Sequence, residues 1–496
     1  MAEWHSTVTP PALARLLAST RLPQAPGRRP AYRTLADQVR ALVAEGRLAV
    51  GARMPAEREL AAGLGLSRTT VATAYEALRA EGYLRSRRGA GSWTALPEGT
   101  SPPGDALHPV PPDQGDRVVD LGVAALPAPQ PYLGQAAAAA LELLPAYAAG
   151  HGNYPTGVPL LREAVARRYT ERGLPTTPDQ VLITTGAMGA LHLAQRALLA
   201  RGDRVAVEAP SYAHTLQSLQ LGGARLVPVP MADPERPRWD LDEWQRVLRG
   251  AAPRLAYTIP DFHNPTGALI DEEQRRALLA HARAAGTVLL VDETPAELGW
   301  ATPEADLPRP VAALDRSARV VTVGSAAKLL WGGLRIGWLR AAPTLVRQLA
   351  ADRAFSDIGT PVLDQLIAAV LLTDHLPEVR AHQHDRLAES ARALAAELHR
   401  QLPGWRFTMP PGGLALWVAT DGLSGSALAR AGERTGVRLA AGSRFGVDGA
   451  FEHHLRIPLT VPAGAAEDAV GRLAAAAELA GTDRWPALDD TPPLAV

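Results

Sequence analysis

From residue 117 onward, short apolar runs alternate with Ala/Leu-rich stretches of helical spacing. No other feature limits the fold as much. Strands separated by helices long enough to cross back over a sheet give an α/β domain with a largely parallel sheet. The pattern predicts strands at 181–184, 204–208, 225–229, 254–258, 288–292 and 319–323, and helices at 189–199, 212–221, 271–285 and 363–373. From about 375 to 480 it predicts one long helix, short strands around Trp417 and Leu455, and a final helix, which together read as a small C-terminal α/β lobe.

The strand at 319–323 leads into the segment that carries the chemistry. Lys328 is the only lysine in the chain, so the other 50 of the 51 Lys+Arg residues are arginines. A solvated surface cation can be arginine without loss, which leaves unexplained why one lysine remains. Arginine stays protonated at any working pH, whereas a lysine amine shifts its pKa readily and can form a Schiff base. The setting is Ser325-Ala-Ala-Lys328-Leu-Leu-Trp-Gly332-Gly333-Leu-Arg335. A hydroxyl and a guanidinium around the lysine suit a phosphate dianion, which arginine binds through two parallel charge-assisted bonds. A Schiff-base lysine beside a phosphate site points to pyridoxal 5'-phosphate (PLP).

Upstream, Tyr154 lies in His151-Gly-Asn-Tyr-Pro-Thr-Gly157, and Gly186-Ala187-Met188 follows a strand and opens a helix, where backbone N–H groups can hold a phosphate. Tyr212 closes Glu208-Ala-Pro-Ser-Tyr, Asn264 lies in Phe262-His-Asn-Pro-Thr-Gly267, and Asp292 ends the strand Val288-Leu-Leu-Val-Asp292. The separations are 292 − 264 = 28 and 328 − 292 = 36 residues. Arg456 lies in His454-Leu-Arg-Ile-Pro458. Singly these are weak signals, since Asn-Pro-Thr-Gly also makes an ordinary turn. In this order and spacing they resemble the fold-type I, class I aminotransferases.

That resemblance implies a role for each residue. Lys328 would carry PLP as an internal aldimine. Asp292 would keep the pyridine nitrogen protonated, preserving the ring as an electron sink. Asn264 would donate to the ring oxygen, and Tyr212 would stack on the ring. Gly186, Ala187, Met188, Ser325 and Arg335 would hold the phosphate. Tyr154 would reach the phosphate of a partner subunit, which implies a homodimer. Arg456 would clamp a substrate or effector carboxylate. The sequence departs from the family at one place. A tyrosine usually follows the aspartate by two or three residues, and Thr294 and Pro295 stand there instead. Losing that phenol puts efficient turnover in doubt and leaves cofactor binding intact. His192 and His263 read as local hydrogen-bonding or packing residues.

Residues 27–95 differ in charge, with twelve arginines against six acids, an excess of +6 in a chain that is neutral as a whole. The pattern is helix (32–45), helix (56–63), a Gly63-Leu-Gly65 turn, a third helix (68–80) with Ser67 as its N-cap, and a basic turn at Arg85-Ser-Arg-Arg88-Gly89-Ala-Gly91. A short helix after a tight turn, opening on Ser-Arg-Thr-Thr, suits a recognition helix whose first residues face the major groove. The stretches Gly51-Ala-Arg-Met-Pro-Ala-Glu-Arg-Glu-Leu-Ala61 and Leu64-Gly-Leu-Ser-Arg-Thr-Thr-Val71, with Glu81-Gly-Tyr-Leu84 and the basic turn, resemble the winged helix-turn-helix of GntR-family regulators. The resemblance places DNA contacts on Arg58, Ser67, Arg68, Thr69, Thr70, Arg88 and Gly89.

The domain order expected is an N-terminal helical extension (1–26), the winged helix (27–95), a Pro-rich linker (96–116), a PLP-binding large domain (117–374), the small lobe (375–480) and a tail (481–496). A winged helix joined to an aminotransferase-like domain resembles the MocR-type subfamily. It implies a transcription regulator that binds a double-stranded operator and senses PLP, or PLP with an amine or amino acid. The alternative is a working aminotransferase carrying a DNA-binding module. With no cysteines, disulfides and thiolate metal sites are excluded, and no metal site is expected. No apolar stretch approaches the ~20 residues of a membrane span and no signal peptide is legible, so a cytoplasmic protein is expected.

Overall fold

Seven described strands form the central sheet of the large domain, in the order Val181–Thr185, Ile336–Arg340, Val320–Ser325, Val288–Asp292, Leu255–Thr258, Arg204–Ala209 and Arg225–Pro230. The computed structural model describes residues 8–18, 30–44, 48–87, 91–97, 118–233, 236–315, 317 and 319–481. Every strand of this sheet runs the same way except Ile336–Arg340, which is antiparallel to both neighbours. The six expected strands are all present, and the mostly parallel α/β class holds. The reversed strand was not among those expected. Its run Ile-Gly-Trp-Leu-Arg is short and broken by a glycine, so it carries little strand signal.

The helices lie where local chemistry starts and stops them. Asp271 caps Glu272–Ala285 by accepting from Gln274 N–H, and Gln274 returns a bond to Asp271 N–H. Gly286 ends that helix in the left-handed region at φ 70°, which glycine adopts without strain. The chain then enters Val288–Asp292, four of whose five residues are buried. Helix Gly186–Leu198 begins directly at the end of strand Val181–Thr185.

The small lobe holds a four-stranded sheet in the order Ala415–Ala419, His454–Pro458, Val437–Ala441 and Val119–Leu121. The first three strands are antiparallel neighbours, and the last runs parallel to Val437–Ala441. Residues 119–121 therefore hydrogen-bond into the small lobe, not into the large domain where the expected boundary at 117 put them. Three residues give no periodicity, so only the tertiary pairing shows it. The long helix Leu376–Gln401 leads into the lobe.

In the N-terminal part, helices Ala31–Ala44, Glu57–Leu64 and Arg68–Ala80 precede an antiparallel hairpin, Leu84–Arg87 with Gly91–Thr94. Leu13 and Leu17 of helix Pro10–Ala18 are buried in the same core as Leu35, Leu42, Leu60, Val71 and Leu78. The expected N-terminal helical extension thus packs on its neighbouring domain, the winged-helix unit. Arg88 and Gly89, almost all of the linker and the tail beyond 481 lie outside the described residues. No described helix is long and apolar enough to cross a membrane.

Candidate functional site

Lys328 lies in a π-helical turn, Ala327–Trp331, directly after strand Val320–Ser325. Such turns are rare and concentrate at functional sites. Ser325 accepts from Ala327 N–H at 3.0 Å and donates to the Ile336 carbonyl at 3.2 Å, which ties the turn to the reversed strand. The Lys328 amine is buried and donates to the Ala124 carbonyl at 2.7 Å. Burial, then the nearby Arg456 guanidinium, lower its pKa from 10.5 to about 8, with Asp292 pulling the other way.

The shift has a kinetic consequence. Only the neutral amine attacks a carbonyl, so capture of PLP by cofactor-free protein should accelerate up to a pH near 8 and level off above it. With an ordinary lysine the rise would continue beyond pH 10. At pH 7 the neutral fraction is then roughly two orders of magnitude larger than for an unperturbed amine. Stopped-flow absorbance from pH 6 to 10 measures this, and a rate still climbing above pH 9 contradicts it.

Asp292, at the end of its strand, is buried and accepts from Tyr257 O–H at 2.7 Å and from Thr294 N–H at 2.9 Å. Burial pushes its pKa up, and those two donors oppose that push. Tyr257, on the neighbouring strand, carries no motif signal, and sequence reasoning missed it. It also accepts from Thr215 at 3.3 Å. Thr294 thus contributes its backbone N–H to Asp292, although its side chain cannot replace the absent phenol.

Arg335 has left-handed backbone geometry at φ 54°, and a Cβ added to Gly186 would stand 2.8 Å from its guanidinium. The arginine therefore lies against the strand-to-helix turn that contains Gly186. Gly186 is itself at φ 69°, and Gly337 packs on the Gly186–Ala187 peptide so closely that a Cβ would overlap it. Met188 is partly buried beside the core between that helix and the sheet. Tyr212 is within electrostatic reach of Arg456, Asp292 and Arg335; burial raises its pKa to about 12, and its hydroxyl meets His214 Nδ1 at 2.8 Å.

Arg456 is buried, lies 5.1 Å from the Phe445 ring centroid and donates through Nη2 to the Gly122 carbonyl. Burial lowers its pKa to about 10. Its Nε and the Asn264 Oδ1 are buried without a hydrogen-bond partner among the described residues. Buried polar atoms without partners are uncommon and call for a ligand or water. His263 is held by Glu208 at 3.1 Å and Thr266 at 2.9 Å. Glu208 also accepts from Trp239 Nε1–H at 2.8 Å, from the Thr258 hydroxyl and from Ile259 N–H, so this buried network fixes the Asn264 loop.

Lys328, Asp292, Tyr212, Arg335, Gly186 and Arg456 are thus brought together. The ring of Tyr154 meets Tyr147 edge-on at 5.9 Å, and its backbone lies against Gly359. A cradle at Gly186, orphaned polar atoms at Asn264 and Arg456, and an amine within electrostatic reach of a buried carboxylate fit PLP: an anionic phosphate, a ring oxygen and a basic ring nitrogen.

In the winged helix, Ser67 accepts from Thr70 N–H at 3.0 Å and opens helix Arg68–Ala80. Arg58, Ser67, Arg68 and Thr69 are exposed and Thr70 is half-buried, so the start of this helix presents polar side chains to solvent.

Comparisons with known proteins assign both halves of the chain to families. Residues 117–474 match the family model "Aminotransferase class I and II", and residues 31–93 match "Bacterial regulatory proteins, gntR family". A probable rhizopine catabolism regulatory protein, MocR, of Rhizobium meliloti is 30% identical over 448 residues, 79% of this chain and 85% of that protein. A 2-aminoadipate transaminase of Thermus thermophilus is 34% identical over 299 residues, 59% of this chain and 74% of that protein. Among solved structures, the α-aminoadipate aminotransferase LysN of Thermus thermophilus, complexed with N-(5'-phosphopyridoxyl)-L-leucine, superposes with a TM-score of 0.65 at 32% identity. That match covers 72% of this chain and 92% of LysN.

Proposed function

The chain belongs to the MocR-type regulators, in which a GntR-family winged helix precedes a class I and II aminotransferase domain, and from that premise we propose how it couples cofactor to operator. PLP is the cofactor, and DNA is bound by the winged helix. When bound, PLP supplies an aldehyde and an electron-withdrawing ring for amine chemistry. In this reading Lys328 supplies the amine, Asp292 the counter-charge to the ring nitrogen, and Gly186–Met188, Ser325 and Arg335 the phosphate site. Asn264 and Tyr212 orient the ring, and Arg456 receives the carboxylate of an amino acid effector.

One observation carries the coupling. Lys328 donates to Ala124 and Arg456 donates to Gly122. Both acceptors lie on the short stretch that follows the linker to the winged helix. Cofactor and effector need those same two side chains. Lys328 and Arg456 therefore exchange backbone carbonyls of this stretch for ligand groups, and the chain leading to the DNA-binding unit is released from them. A working transaminase is the second reading, favoured by the presence of Lys328, Asp292 and Arg456 together; amino-group transfer to a keto acid at enzymic rate would establish it.

A second copy of the chain completes the reading. Phe355 and Ile358 are 83% and 50% exposed, on the segment whose Gly359 packs against Tyr154. A partner covering these apolar side chains would bring Tyr154 to its cofactor phosphate. Two-fold symmetry then calls for paired half-sites on DNA. A monomer in sedimentation, with PLP bound, contradicts this.

The experiment is operator binding with and without PLP at two salt concentrations. Arg68→Ala should relax sequence preference at a cost of ~1–3 kcal/mol if Arg68 reads a base edge. Arg88→Ala should weaken binding evenly across sequences and flatten its salt dependence. Lys328→Ala, which lacks the bond to Ala124 in every state, should remove the response to PLP and shift ligand-free operator binding toward the level of the PLP-bound parent chain. A wild-type response in Lys328→Ala would make non-covalent phosphate binding through Ser325 and Arg335 the switch.

A further inference from the structure

A cavity of about 780 Å³ lies outside the cofactor site, between helix Pro159–Glu171, the segment after Asp292 and the start of the long helix Leu376–Gln401. Arg168, Arg172, Arg309 and Arg380 stand in its wall together with Glu171, Asp261, Glu297 and Glu304. Arg168 and Asp261 are buried, Arg172, Glu297 and Arg380 half-buried, and the other three exposed at the rim; a charge taken from water needs a partner.

The pairing inside the wall is incomplete. Glu297 serves both Arg168 and Arg380, the latter at 3.1 Å, and Arg380 turns its other arm to the exposed Glu304 at 2.7 Å. Arg168 is only 8% exposed, yet its Nη1 has no partner among the described residues, and neither has Arg380 Nε. Asp261 is 2% exposed and bonds Arg275 through Oδ1 at 2.5 Å, while its Oδ2 has no partner among the described residues. Arg168, Arg380 and Asp261, which all line this space, thus each keep one polar atom without a partner among the described residues.

We propose that this cavity binds a small zwitterion of the amino acid class, with its carboxylate on Arg168 and Arg380 and its ammonium on Asp261. Trp300 and Leu307, also in the wall, offer apolar surface to a side chain. The site is separate from Arg456 and needs no primary amine chemistry. A second, small pocket shares Arg168, Arg172 and Glu297 with this wall and is also lined by Thr294 and Ser325, with the Arg172–Glu293 ion pair at 3.1 Å in its lining.

The test uses N,N-dimethyl-L-leucine, which carries both charges and has no primary amine to react with PLP. Calorimetric titration of the full-length, PLP-loaded Arg456→Gln variant removes carboxylate binding at the cofactor site. Saturable binding near one per chain is expected to persist. Adding Arg380→Gln should weaken it at least tenfold, whereas adding Arg309→Gln, whose guanidinium is held by Glu272, should change it by less than threefold. No saturable binding in the Arg456→Gln background overturns the proposal, and so does binding indifferent to Arg380→Gln. PLP absorbance recorded on the same samples separates failure of this site from failure of the cofactor reading.

Discussion

Lys328→Arg should lose every trace of cofactor that borohydride can fix covalently, falling from about one PLP per chain to background. The chain has a single lysine, so no other side-chain amine can take its place. The substitution keeps the charge and removes the nucleophile, because a guanidinium does not give up its proton at working pH. It also places a second permanent cation beside Arg456, which already contributes to lowering the Lys328 pKa. Mass spectrometry of the reduced protein reads the result directly. PLP fixed to a peptide of the variant other than the N-terminal one would show that Lys328 is not the attachment point.

Gly337→Ala should be the most damaging substitution of a residue that carries no chemistry. A Cβ there overlaps the Gly186 carbonyl carbon and stands 2.6 Å from Ala187 N. Both are backbone atoms of the turn assigned to the phosphate, so no flexible side chain can move aside. Overpacking costs roughly 1–3 kcal/mol, and this site belongs at the upper end. Relief requires the turn to shift away from the strand, which carries the phosphate donors with it. We expect a clear fall in melting temperature and at least tenfold weaker PLP binding. Gly150→Ala is the control, since a Cβ there meets nothing within 4 Å. If Gly337→Ala binds PLP like the parent chain, the turn at Gly186 is not the cradle.

What the sequence disclosed and what it hid divide along physical lines. Asp271 and Gly286 bracket a helix because capping is local, and the strand ending at Asp292 is legible because its apolar run is continuous. Lys328 stands out by its isolation in composition. Local signals of this kind set the six parallel strands, the recognition helix and the residues gathered around the amine. By contrast, Tyr257 is an ordinary strand tyrosine until the adjacent strand brings Asp292 within 2.7 Å. Strand Val119–Leu121 is too short to show a period. The partners of Lys328 and Arg456 are backbone carbonyls, which have no sequence signature, and they lie 204 and 334 residues away along the chain. The charged cavity is hidden for the same reason: its arginines look like solvated surface cations until helix Pro159–Glu171 and helix Leu376–Gln401 enclose them.

The attachment of residues 119–124 has a thermodynamic consequence. Val119 N–H bonds the Gly436 carbonyl, and the stretch then passes beneath Arg456 and Lys328. If ligands at those two side chains alter the affinity for an operator, then occupancy of the operator must alter the affinity for the ligands by the same factor. DNA is then an effector of the cofactor domain, and the chain joining them carries free energy in both directions. The affinity for PLP would differ between the molecules seated on a promoter and those free in solution.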